Sequence, residues 1–345
     1  MSSMKDVARL AGVSVSTVSR VINESIPVDE NTKKKVLDAI DRLNYKPNLL
    51  AKGLRVKSGH LIGFIVPEIS LHPFVNLINS MEEYVVRRGF NLILGNTQND
   101  PNVEEMQIDH FIRRNVDGVV ITRVSDESRI LEIIDKSNIP FVAVDRELEM
   151  QELPSVVLDN YKAGVLAARH LRELGHRQFA CITGPLNIKL CRERLNGFEN
   201  TLAEDAIPFS RERVFEGDFK FNSGIKGMEY LLHQRIPITA LWAQNDLMAV
   251  GCLKVLQQKG IRVPEDMSLM GMDDLEIARM VNPTLTTIKQ PFKQMSREAV
   301  DILLRMRSGQ DLKEKKVVLQ PQLVKRSSTA PPITQPVYHN SSLDA

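Results

Sequence analysis

The chain has 345 residues, 43% of them hydrophobic and 26% charged, with a formal net charge of +2. At ~100–200 residues per domain, this length holds two or three units with cores of their own, and the ordinary composition excludes collagen, a long coiled coil and wholesale disorder. No apolar run approaches the ~18 residues of a membrane span, the first residues lack the apolar core of a signal peptide, and Cys181, Cys191 and Cys252 stand apart without CxxC spacing. A cytoplasmic protein with reduced cysteines, no membrane partner, no metal and no cofactor is expected.

The charge is unevenly placed. Residues 1–59 hold eleven Lys/Arg against six Asp/Glu, a balance of +5 that leaves −3 on the rest. A small basic head on a slightly acidic body points to a polyanionic partner for the head alone. Within it, Val7, Ala8 and Ala11 share one helical face. Gly12 then allows a sharp turn, Ser14 is a good N-cap, and a second helix from about Val15 to Asn23 buries Val18, Val21 and Ile22. Two short helices on a three-residue turn make a helix-turn-helix, whose second helix can enter a DNA major groove. A third helix fits Asp29 to Asn44, capped by Asp29, with Val36, Leu37, Ile40 and Leu43 turned to the core.

The strings MKDVARLAGVSVSTVSRVIN and RLNYKPNLLAKGLR closely resemble the DNA-binding head and hinge of the LacI/GalR family of bacterial transcription regulators. The resemblance implies base-reading positions at Val15, Ser16 and Arg20: the Arg20 guanidinium can reach a guanine edge in bidentate fashion, and Val15 can meet a thymine methyl. It places Ser14, Thr17, Ser19 and Asn23 on phosphates. It also implies a hinge over residues 47–59, with Ala51, Lys52, Leu54 and Arg55 on DNA and Leu54 as a wedge in the minor groove. So short a helix folds only when paired on DNA. Gly53 departs from the Ser or Gln usual there, and Gly costs about 1 kcal/mol relative to Ala in a helix.

From His60 the pattern becomes short apolar strands alternating with amphipathic helices. Strands are expected at Leu61–Val66, Asn91–Leu94, Gly118–Thr122, Phe141–Val144, Ser155–Leu158, Phe179–Thr183, Ala240–Trp242, Ser268–Met272 and Leu285–Ile288, and helices over 74–88, 103–115, 160–174, 191–204, 221–234, 246–259 and 292–307. That alternation argues for parallel sheets covered by helices on both faces, and the number of strands for two doubly wound lobes. The expected fold class is α/β: a three-helix head (1–46), a hinge (47–59), two doubly wound parallel-sheet lobes (60–329), which the family resemblance implies are of periplasmic-binding-protein type, and a disordered tail (330–345).

In open parallel sheets ligands gather beyond the carboxyl ends of the strands. The residues there are Phe74, Asp145, Arg146, Asp159, Arg194, Phe219, Asn245, Asp273 and Gln290. Carboxylates and guanidiniums that bond vicinal hydroxyls, beside rings that stack on C–H faces, suit a monosaccharide. The body, through RERLNGF, EGDF, NDLMAVG, GMDD and PTLTTIKQPF, resembles the LacI/GalR regulatory domain and the ribose-type binding proteins. This implies that Arg194, Asn245, Asp273 and Gln290 face an effector. The pair Asp145–Arg146 looks like one that grips sugar hydroxyls in ribose-type binders and is lacking in purine-responsive relatives, so a pentose or hexose effector is expected. His72-Pro73-Phe74-Val75 departs from the Asn-Pro-Phe-Phe of those binders. Asn282 stands where relatives with a phosphoprotein corepressor carry a docking Arg.

The tail has no leucine heptads for a tetramerising coiled coil, so a homodimer on a pseudo-palindromic operator is expected. No Ser-His-Asp elbow, HExxH, GxxxxGK[ST] or GxGxxG string is present, which argues against an enzyme. A sequence-specific, effector-controlled repressor is the expected function.

Overall fold

The structure is a computed structural model and describes residues 2–23, 26–45, 59–124, 130–146 and 153–332. The chain divides into two compact units, residues 1–59 and 60–345.

The first unit contains α1 (Met4–Ala11), α2 (Val15–Asn23) and α3 (Glu30–Arg42). Ser3 and Asp6 form a capping box at α1, and Gly12 ends it in the left-handed conformation at φ 66°. Asp29 caps α3 by accepting from the backbone N–H groups of Asn31 and Thr32. Val7, Ala8, Val18, Val21, Val36 and Ala39 form the core. Leu37, expected inside, is 46% exposed. The buried stripe of α3 runs 36, 39, 40, 43, and a residue one step after Val36 lies ~100° around the helix from it.

In the second unit β1 (Leu61–Val66), β2 (Asn91–Asn96), β3 (Gly118–Ile121), β4 (Phe141–Val144), β5 (Ser155–Leu158) and β11 (Lys316–Leu319) form one sheet. Its order is β11-β5-β4-β3-β1-β2, with every pairing parallel. A second sheet holds β6 (Phe179–Thr183), β7 (Val214–Glu216), β8 (Ala240–Ala243), β9 (Ser268–Asp273), β10 (Thr286–Lys289) and β12 (Gln322–Val324). It runs β12-β10-β9-β8-β6-β7, with only β12 antiparallel. Both faces of each sheet are covered, as parallel sheets require. In β1, Ile62, Phe64 and Val66 enter one apolar cluster while Ile65 enters another on the opposite face.

The alternation missed β7, β11, β12 and the helices Ile130–Lys136 and Ile277–Met280, all of them short. It also could not say to which lobe a late element returns. The helix Phe292–Arg307 follows β10 of the second lobe, yet its Met295, Ala299 and Leu303 pack with Phe64 and Leu77 of the first. The chain therefore passes between lobes three times, at 159, 290–291 and 320–321. The expected tail begins too early: the Ala330 carbonyl accepts from Ser268 Oγ and lies 2.9 Å from His176 Nε2, anchoring the strand of chain at 326–330 on the second lobe.

Four glycines fix the helix layers of that lobe. A Cβ on Gly164 would stand 2.0 Å from the Arg194 carbonyl oxygen, and one on Gly197 2.0 Å from that of Tyr161. Gly224 and Gly251 make the same reciprocal contact between the helices Phe221–His233 and Asp246–Gln258. By helix propensity alone Gly164→Ala stabilises by about 1 kcal/mol. The backbone contact reverses the sign, because neither helix can retreat without unpacking the sheet. Gly164→Ala is expected to lose roughly 1–3 kcal/mol in urea unfolding, and a raised midpoint would contradict this packing.

Candidate functional site

In the first unit α2 presents Val15, Ser16 and Arg20 to solvent, opposite the buried Val18 and Val21. Ser14 Oγ accepts from the Thr17 backbone N–H at 3.1 Å and lies 2.7 Å from Ser16 Oγ and 2.9 Å from Thr17 Oγ1. This hydroxyl cluster rigidifies the start of the helix. Ser19 is half-buried, and Asn23 closes α2. Ala51, Lys52, Leu54 and Arg55 lie outside the described residues.

In the second unit most of the expected effector residues meet between the lobes. Phe74, Asp145 and Arg146 come from the first lobe, and Arg194, Phe219, Asn245, Asp273 and Gln290 from the second; together they line one small cavity of about 40 Å³. Phe74 projects from the first turn of the helix His72–Arg87, with Pro73 at its start. Arg194 reaches in from the helix Lys189–Ala203, its Nε donating to Asn160 Oδ1 at 2.8 Å and its NH1 to the Gln244 carbonyl at 3.3 Å. Arg146 is held by NH1 on the carbonyls of Arg123 and Val124. Asn245 caps the helix Asp246–Gln258 and donates Nδ2 to the Phe219 carbonyl at 2.7 Å, so much of its amide serves the fold.

Asp159 does not reach this cavity. It caps the helix Asn160–Glu173, accepting from the Lys162 N–H at 2.9 Å, and takes a 3.4 Å hydrogen bond from Gln320 Nε2. Gln244, which the strand-end rule could have found beside Asn245, does line the cavity. It is fully buried between the Gly184 N–H and the Cys191 carbonyl.

Three site residues hold left-handed backbone: Asp145 at φ 68°, Phe219 at 67° and Asp273 at 113°. For non-glycine residues this costs of order 1–3 kcal/mol each, and it clusters at ligand sites. The Phe219 ring occupies the space of the missing Gly184 side chain, whose Cβ would stand 2.1 Å from the ring. Gln290 Nε2 donates to Asp273 Oδ1 at 2.6 Å. Asp273 Oδ2, Gln290 Oε1 and Arg146 Nε are buried with no hydrogen-bond partner. Two acceptors and one donor thus await a polar ligand. Among the described residues no His/Cys/Asp/Glu cluster could hold a metal ion, and no helix is long and apolar enough to cross a membrane.

Burial raises the Asp273 carboxyl to about 7, against the opposing pull of Arg194 and Gln290. Burial likewise raises Asp145, opposed by Arg146 and Arg194. Asp246, accepting from Thr287 Oγ1 at 2.6 Å and the Leu275 N–H at 2.7 Å, is held well above the carboxylate range by burial and by Asp273 nearby. Under the anchored segment, burial depresses His170 to about 4. These shifts oppose one another. Asp273 binds its proton more tightly folded than unfolded, so its contribution is lost as pH rises from about 4 to about 7. His170 binds its proton less tightly folded, so its contribution is lost as pH falls from 6.5 towards 4. Asp273→Asn should therefore unfold with a steeper rise of stability between pH 4.5 and 6.5 than the parent. It should exceed the parent by roughly 2–4 kcal/mol at pH 8. Parallel urea titrations at three pH values measure both, and identical pH slopes would refute the burial argument.

Residues 3–48 match the lacI family of bacterial regulatory proteins, and residues 168–329 match the periplasmic binding protein-like domain. The HTH-type transcriptional repressor PurR of Aliivibrio fischeri (strain MJ11) is 35% identical over 333 residues, 95% of this chain and 98% of the relative. That of Haemophilus influenzae (strain PittEE) is 37% identical over 334 residues, again 95% and 98%. Among solved structures, the lac repressor dimer bound to operator and the anti-inducer ONPF superposes with a TM-score of 0.87 at 31% identity, covering 95% of this chain and 99% of that one. The transcriptional regulator CelR–cellobiose complex superposes with 0.73 at 30%, covering 95% and 100%. The expected head and two-lobed body are thereby shown, whereas relatives named PurR lend no support to the expected sugar effector. The chain belongs to the lacI family of bacterial regulatory proteins and is a DNA-binding transcriptional repressor.

Proposed function

We propose that this repressor binds a pseudo-palindromic operator as a homodimer and that a small molecule between its lobes sets its operator affinity. The observation that carries the ligand reading is the set of three unpartnered polar atoms on Asp273, Gln290 and Arg146 in a cavity flanked by Phe74 and Phe219. Leaving a buried polar group unpaired costs about 1–3 kcal/mol, which a complementary ligand recovers.

The effector is a purine. The name PurR shared by the similar repressors supports this class, which the sequence had ranked below a sugar. The chemistry suits it: a planar heterocycle fits between two rings, its ring N–H groups donating to Asp273 and Gln290 and its carbonyl accepting from Arg194 or Arg146. A monosaccharide is the second reading, favoured by one observation. Asp145 and Arg146 enter the cavity side by side, the arrangement that pairs with vicinal hydroxyls.

Coupling to DNA follows from the crossings. Gln290 sits in one of the three passages between lobes and also bonds Asp273, so a ligand on Asp273 biases the angle between lobes.

Two experiments test the reading. On a duplex selected from a random pool, Arg20→Ala should cost about 1–3 kcal/mol and relax preference at one position per half-site. A uniform loss on every sequence would make Arg20 a phosphate contact. In calorimetry on the full chain, hypoxanthine or guanine should bind and change operator affinity by roughly 5- to 150-fold. Asp273→Ala should abolish that change and leave effector-free operator binding intact. Binding of ribose or glucose in place of both purines would establish the second reading, and binding of none of them would remove the effector role of the cavity.

A further inference from the structure

The three passages between the lobes reach different parts of the first sheet. Those at 159 and 320–321 leave from β5 and β11, which β3 and β4 separate from β1. The passage at 290–291 instead opens the helix Phe292–Arg307, whose 16 residues span about 24 Å at ~1.5 Å each. Its far end stands at the start of β1, the strand that continues the chain arriving from the head.

That end is gripped closely. Arg307 NH2 lies 2.8 Å from Asp117 Oδ1, and Asp117 Oδ2 accepts from the Leu61 N–H at 3.0 Å. The Asp117 N–H in turn donates to the Leu61 carbonyl at 2.7 Å. Asp117 is buried, so its two oxygens are committed, one to the helix and one to the first residue of β1. The next residue, Gly118, has no room for a side chain, since a Cβ there would stand 2.7 Å from Leu303 Cγ. The last two turns of the helix therefore meet the start of β3 at consecutive residues, and a close-packed contact of this kind moves as a unit.

A second contact runs beside the first. The Arg307 guanidinium lies 5.2 Å from the centroid of the Phe90 ring, and that ring lies 5.6 Å from the ring of His60. The Asn91 N–H donates to the His60 carbonyl at 2.8 Å. His60 holds left-handed backbone at φ 49°, which is uncommon outside glycine, so the chain turns where it enters the body. Stability alone asks only that some cation cover the buried Asp117. The one that does so ends the helix that begins beside Gln290.

We propose that the Arg307–Asp117 ion pair is the relay by which occupation of the cleft reaches the head. A displacement of the 290–291 passage moves the helix as a rod. Arg307 passes that movement through Asp117 to His60 and Leu61, and so changes the direction in which the linker leaves the body. Rigid elements joined by ion pairs are a physical means of coupling distant sites. The proposal rests on the effector reading above and supplies the element that carries its signal. Arg307 lines neither cavity between the lobes and acts only through other groups, as a positioning residue.

The test is the ratio of operator affinities with and without effector, read by fluorescence anisotropy on the full chain with a duplex selected from a random pool. Calorimetry with hypoxanthine, guanine, ribose and glucose first identifies the compound that binds. Arg307→Met keeps an unbranched stem over Phe90 and removes the charge. Asp117→Asn keeps an acceptor for the Leu61 N–H and removes the ion pair. Each is expected to bind the compound within about twofold of the parent, and to lower the ratio from the roughly 5- to 150-fold of a coupled system to under about twofold. Arg307→Lys is expected to retain most of the ratio, because the contact is a single N···O pair that an ammonium can make. Arg307 is 35% exposed, so Arg307→Met decides the matter where Asp117→Asn fails to fold. A ratio unchanged in the variants overturns the relay and leaves the effector reading standing. A ratio that falls together with the compound's own affinity also overturns it, since the pair would then only support the fold. If none of the four compounds binds, or the one that binds leaves the parent's operator affinity unchanged, the effector reading falls and the relay with it.

Discussion

The hydrogen bond from the Gln290 amide to the Asp273 carboxylate, 2.6 Å long, joins the two things this body has to connect. Asp273 ends β9 inside the second lobe, and Gln290 begins the passage that carries the chain back to the first. A carboxyl buried there titrates near neutrality and keeps one oxygen unpartnered. An unpartnered buried oxygen there costs about 1–3 kcal/mol. A ligand donating to Asp273 Oδ2 would satisfy the oxygen and, through Gln290, act on the crossing. It would shift a lobe equilibrium only by as much as it bound one arrangement better than the other.

Rigidity elsewhere makes this concentration effective. The reciprocal glycine contacts, Gly164 with Gly197 and Gly224 with Gly251, bring helices to backbone contact and leave the second lobe little freedom to deform. Any movement of that lobe against the other would then fall on the three crossings. A surface ion pair, Lys220 to Glu68 at 3.6 Å, also spans the lobes, but at such exposure it contributes no more than about 1 kcal/mol.

Much of this was legible before any coordinates. Parallel sheets bring the carboxyl ends of their strands together, so Asp145, Asp273 and Gln290 could be named from strand position alone, and the helix-turn-helix from a Gly turn and two apolar stripes. Asp159 shows where the rule fails. It also follows a strand, but the next residue opens a helix, and the helix N-terminus takes the carboxylate as its cap. Leu37 fails for a similarly local reason, since its apolar character says nothing of the helical phase that Val36 and Ala39 set. The return of the helix 292–307 to the first lobe was invisible, because an amphipathic stripe records that a face is buried and not which sheet buries it.

What the strand ends do not determine is the class of ligand. A carboxylate and a guanidinium beside two aromatic rings can hold a heterocycle with N–H donors as readily as a sugar with hydroxyls, because both offer alternating donors and acceptors on an apolar frame. Asp273, titrating near neutrality, widens the choice further: protonated it donates, ionised it only accepts. Selection must come from groups with a fixed role. Arg146, pinned through NH1 and unable to lose its proton, always donates. Asp145, beside it on strained backbone at φ 68°, is fixed by its backbone N–H on the Val156 carbonyl of the neighbouring strand, while burial raises its carboxyl as it does that of Asp273. Asp145 and Arg146 line both the small cavity and a larger one between the lobes, so a group that reached from one cavity to the other would have to pass their opposite charges.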